Sequence, residues 1–98
     1  MEQQIKEWKE QFGEIYKSEI GEHTVYWKKV KRKEYVQLMT QEENMGQSMY
    51  DTEEEIVKLC VLYPDNVEEI IEEDGGFATA LSDHIMQRSG FTIKTTKM

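Results

Sequence analysis

Few side chains in this chain are of a type that could do covalent or metal chemistry. They are one cysteine, Cys60, two histidines, His23 and His84, and a surplus of carboxylates. A thiol becomes a nucleophile in an electropositive, partly exposed setting. Cys60 instead sits inside the apolar run Ile56 to Tyr63, downstream of Glu53, Glu54 and Glu55. The expectation is a buried, inert thiol behaving as a small hydrophobe. A metal site needs several ligands at compatible spacing, and Cys60, His23 and His84 are far apart in sequence. His23 reads as a solvated turn residue and His84 as a surface residue of a helix. The spaced carboxylates of a calcium loop are missing. Gly75 and Gly76 are followed by no lysine of the kind that a phosphate loop uses, and no serine occupies a nucleophile elbow. Exposed glutamates keep ordinary acidity and make poor general acids. The reading is therefore a protein that is not an enzyme and takes no cofactor or metal.

Charge points to binding instead. The formal net charge is -8 over 98 residues. Residues 1–33 carry eight basic and six acidic side chains, whereas residues 34–73 carry twelve acidic ones and a single lysine, Lys58. Such a middle repels nucleic acid and attracts basic surfaces. The one basic cluster, Lys28, Lys29, Lys31, Arg32 and Lys33, reads as a solvated strand end and helix entry whose charges pair with that acid. Leu, Ile, Val and Phe number only 21 residues, just above the level at which highly charged chains lose a core. A lone cysteine fits a reducing compartment. The N-terminus has no apolar signal core, and no run of about 18 apolar residues occurs, so neither export nor a membrane partner is expected.

These side chains must be positioned by one small α+β domain, mostly helical, with one β-hairpin and a central buried helix. Ile5, Trp8 and Phe12 fall on one stripe of an N-terminal helix over residues 1–12, which Gly13 ends. That helix either docks on the core or orders on a partner, and the exposure of Trp8 decides which. Residues 14–30 form the hairpin, with strands Glu14–Ser18 and Thr24–Val30 and a loop from Glu19 to His23. Residues 33–91 make the helical core. A second helix runs from Lys33 to about Asn44, and a polar connection follows from Glu42 to Gln47, broken at Gly46. Thr52 and Glu55 have capping-box spacing at the start of the next helix. Seven of the eight residues from Ile56 to Tyr63 are apolar, so that helix is expected to be enclosed on every side and to end at Pro64. Asp65 or Asn66 caps an acidic helix over Val67–Glu73, with Val67, Ile70 and Ile71 inward and Glu68, Glu69, Glu72 and Glu73 outward. Phe77 to Arg88 is the last helix, Gly90 stops it, and Phe91 folds back on the core. Residues 92–98 form a mobile tail.

Trp8, the run Arg32–Lys33–Glu34–Tyr35, the glutamates 53–55, the run Cys60–Val61–Leu62–Tyr63–Pro64 and the ending Ser89–Gly90–Phe91 follow one another in a telling order. Over roughly Ile5 to Phe91 this layout resembles a family of small proteins of tailed bacteriophages, the tail assembly chaperones and baseplate-hub assembly proteins. The resemblance implies a chaperone-like assembly factor in the host bacterial cytoplasm that escorts a tape-measure or hub component, and it carries no catalytic residues. A structural virion component of tail or baseplate is the alternative, separated by mass spectrometry of purified particles. An acidic inhibitor mimicking nucleic acid through Glu53–Glu55, Glu68, Glu69, Glu72 and Glu73 is a third reading, which steep salt dependence would mark. The expected partner is thus a phage tail or baseplate structural protein, with homo-oligomers allowed. The residues expected at the contact are Trp8, Tyr26, Trp27, Met45, Met49, Glu68 and Glu72.

Overall fold

Helix α1, Glu2–Phe12, forms where the Ile5–Trp8–Phe12 stripe predicts it. Gly13 ends it at φ 87°, its N–H donating to the Lys9 carbonyl at 3.0 Å. A computed structural model describes the chain over residues 1–45, 49–91 and 93–98, with the side chains of 41–45, 49 and 50 outside that description. Strands β1, Ile15–Ile20, and β2, His23–Lys28, pair antiparallel in a register that runs from Ile15–Lys28 to Ile20–His23. The turn is only two residues long, Gly21 and Glu22. Gly21 has φ 57° whereas Glu22 is not positive, the pattern of a type II′ turn that suits the strands' twist. The expected five-residue loop is therefore too long, and His23 belongs to a strand.

Helix α2, Arg32–Met45, runs through the expected polar connection as far as the residue before Gly46, because nothing from Glu42 to Met45 breaks a helix. Helix α3, Met49–Cys60, starts earlier than the capping-box spacing suggests, so Thr52 lies inside its first turn and is buried. The larger correction is at its other end. Val61–Tyr63 is not helix but strand β3, antiparallel to β2 and joined to α3 with no residue between. The residue before a proline is pushed towards extended backbone, Val61 and Tyr63 favour strands, and the second edge of β2 is there to receive them. Tyr26 pairs with Tyr63 and Trp27 with Val61, a one-residue shift that leaves Leu62 as the extra residue. The sheet order is β1-β2-β3. Helix α3 is not enclosed all round either. Ile56, Val57 and Cys60 are buried, Leu59 is half-buried and Lys58 is exposed.

Helices α4, Val67–Glu73, and α5, Phe77–Arg88, match expectation. Val67, Ile70 and Ile71 are buried as read, although Asn66 caps α4 without a side-chain hydrogen bond. Gly90 at φ 91° closes α5. Its N–H donates to the Gln87 carbonyl at 3.2 Å and the Phe91 N–H to the Met86 carbonyl at 3.0 Å, the paired bonds of a Schellman ending. Phe91 does fold back, its ring 4.6 Å from that of Tyr35. Residues 93–98 lie in no helix or strand and are exposed.

Three layers result. Alternation along the strands puts Tyr16, Trp27 and Val25 on one face of the sheet, against Val57, Cys60, Phe77, Leu81 and Ile85 of the helical core. Tyr26 and Lys28 face the other way, where α1 lies. Trp8 is 6.3 Å from the Tyr26 ring, and the Lys28 ammonium is 5.5 Å from the Phe12 ring.

Candidate partner-binding surface

The basic cluster resolves into specific pairs. Lys28 Nζ donates to Glu34 Oε2 at 2.9 Å and Oε1 at 3.2 Å, and the Lys31 N–H donates to Oε1 at 3.0 Å. Glu34 thus reaches back from the third position of α2 to the residue before it, half of a capping box. Burial would raise the Glu34 carboxyl, but these donors outweigh it and hold it below the usual 4.5. On the surface, Lys29 lies 3.1 Å from Glu14. The hydrogen bond from Tyr16 and then the Lys29 charge hold Glu14 low, and Glu14 in turn holds the Lys29 ammonium high.

Cys60 is fully buried, and burial pushes its thiol up to about 12, with Lys28 pulling it down and Glu34 pushing it up by smaller amounts. Burial of this kind disfavours the thiolate, the reactive form. His23 is not a free turn residue: its Nε2 lies 2.7 Å from Asp74 Oδ2 and its ring meets Phe77 edge-on at 5.9 Å. The pair borders a cavity of about 570 Å³ lined by Ile20–His23, Glu73, Asp74, Gly76 and Phe77. That lining holds no serine, threonine or cysteine for a His–Asp pair to activate. Among the described residues no group of three or more His, Cys, Asp or Glu could hold a metal.

What the fold does build is a groove. It runs between α2, α3 and α5, has a volume of about 520 Å³ and is lined by Tyr35, Met39, Ile56, Ala80 and Met86, with Thr52, Glu53, Thr79, Ser82 and Asp83 around them. Thr79 Oγ1 donates to Glu53 Oε2 at 2.7 Å, tying α5 to α3 along its side. Two methionines give such a lining adaptable, polarizable contacts. Met39 belongs to the α2 stripe visible in sequence. Met86 has no sequence signal, because only the packing of α5 on α3 turns it towards the groove.

The expected contact residues do not converge on one spot. Trp8 and Tyr26 touch each other, both half-buried between α1 and the sheet, and Tyr63 stands 6.1 Å from Tyr26 with 42% of its surface exposed. Trp27 has to be removed from the contact set. It is 2% exposed, stacks on Tyr16 at 4.7 Å and donates from Nε1 to Ser18 Oγ at 2.8 Å. Its place on the central strand, facing the core, makes it structural. Met45 and Met49 end α2 and begin α3, and their side chains lie outside the described residues. Glu68 and Glu72 are exposed on α4, which packs chiefly on α3 and α5. With Glu69 and Glu73 they form an acidic face that meets no salt-bridge partner among the described residues.

No family model matches the chain, and neither the curated proteins nor the solved structures yield a match. Among the described residues no helix is long and apolar enough to cross a membrane.

Proposed function

We propose that the chain is a non-enzymatic assembly factor of a tailed bacteriophage, working in the host bacterial cytoplasm and binding a tail structural protein such as the tape measure or a hub component. The observation that carries this reading is the methionine-containing groove between α2, α3 and α5. A groove of this kind takes an apolar helix face from a client. The exposed glutamates of α4 add attraction for a basic client and speed encounter more than they tighten the complex. The resemblance of the chain's layout to tail assembly chaperones supplies the class of client. The test is co-expression with the tape-measure or hub protein of the same phage. The client should be soluble with the wild-type chain and insoluble with Ala80→Glu, which places a charge in the groove at an exposed helix position. A client equally soluble without the chain overturns the proposal.

A further inference from the structure

The sheet ends on β3, only three residues long, at one edge and on β1, six residues long, at the other. We propose that two copies of the chain pair antiparallel through the β1 edge, with Ser18 on the two-fold axis, so that the two three-stranded sheets become one of six strands.

The two-residue turn fixes which backbone groups are free. It closes on Ile20 and His23, the first hydrogen-bonded pair, and such pairs alternate along an antiparallel ladder. Ile20, Ser18 and Tyr16 therefore spend their N–H and C=O groups on β2. Those of Lys17 and Glu19 point outward, and no backbone partner meets them among the described residues. Their side chains are exposed as well.

The sequence of the strand selects its occupant. With Ser18 opposite its own copy, Lys17 falls opposite Glu19 of the second copy, and Glu19 opposite Lys17. Both are outward-facing residues, so each such pair is one that exchanges two backbone hydrogen bonds. On the core side of the sheet, Tyr16 falls opposite Ile20 of the second copy, so apolar meets apolar, again twice. Sliding by two residues, the smallest shift that keeps the outward-facing groups opposite one another, brings Lys17 against Lys17 or Glu19 against Glu19, and like charges directly opposite destabilise a sheet. A lysine on an edge usually deters pairing. Here the glutamate two residues on turns that deterrent into a filter passing one register of one partner, a second copy of this chain.

The experiment is sedimentation equilibrium on the full chain and on charge reversals, with circular dichroism to confirm that each variant is folded. The wild type should reach twice the 11.6 kDa chain mass. Lys17→Glu and Glu19→Lys should each weaken self-association about tenfold or more, since each converts two attractive pairs into two repulsive ones. The double reversal should restore it. Amide exchange gives a second measurement: the Lys17 and Glu19 N–H groups should gain protection as protein concentration rises. A wild type that stays monomeric at all concentrations overturns the proposal. So does a dimer insensitive to the single reversals, or one that the double reversal does not recover. None of these outcomes depends on whether a phage client is bound.

Discussion

Glu34 carries the clearest linkage between charge and stability. Its carboxyl titrates below 4.5 in the folded chain and near that value when unfolded, so the unfolded chain binds more protons in the window between. Stability is then fully present above the unfolded value and falls as pH drops through the folded one. Urea midpoints measured across that window should fall with acid for the wild type and less steeply for Glu34→Gln. At neutral pH the same variant should lose about 1–3 kcal/mol, because it leaves Lys28, only 8% exposed, without its carboxylate partner. Cys60 offers a simpler check. A disulfide reagent at mildly alkaline pH should label it only after denaturant is added, and labelling of the native chain at the unfolded rate would place it outside the core. The burial of Cys60 was legible from its apolar neighbours. The Lys28–Glu34 pair was legible only as a general tendency of the basic cluster to meet acid, since the lysines of residues 28–33 look alike in sequence and only the strand-to-helix corner picks one. The His23–Asp74 contact was invisible, joining residues 51 positions apart.

Helix periodicity made α1, α2, α4 and α5 readable, because each carries apolar residues three and four apart, over about one turn in α2 and α4 and about two in α1 and α5. The run Ile56–Tyr63 was not, for seven apolar residues in eight suit a buried helix and a buried strand alike. It turned out to be both, divided at Cys60, and the proline already present at 64 was the cue for an extended Tyr63. The hairpin loop was misjudged because Glu19 and Ile20 fit either strand or loop, and only pairing with Thr24 and His23 decides. Two substitutions probe these elements. Leu81→Ala, at a fully buried position in α5, should cost about 2–5 kcal/mol by urea denaturation. Gly90→Ala should cost about 1 kcal/mol, because the Schellman ending needs the positive φ that a Cβ opposes. A neutral result for Gly90→Ala would mean that α5 ends differently in solution.

Across the whole molecule the acid is spread around a small core, and α4 shows how it is tolerated. Glu68 and Glu69 sit at the favourable positive end of that helix, but Glu72 and Glu73 sit at the negative end and four residues from their like-charged predecessors. Glu72→Gln should therefore raise stability by about 0.3–1 kcal/mol in low salt, with the gain shrinking as salt is added. If that variant also binds a basic client less well, the acidic face is kept for binding at a cost in stability. The surplus of acid was plain in the sequence. The groove was not, because it belongs to three helices at once and no single one of them encodes it. The direct passage from α3 into β3 has a mechanical meaning for such a molecule. Without a loop there is no slack at Cys60–Val61, so a tug on the sheet passes straight to the helix that forms one wall of the groove. A load applied at one side of this small body would be felt at the other, and a glycine pair spliced into that junction would cut the transmission.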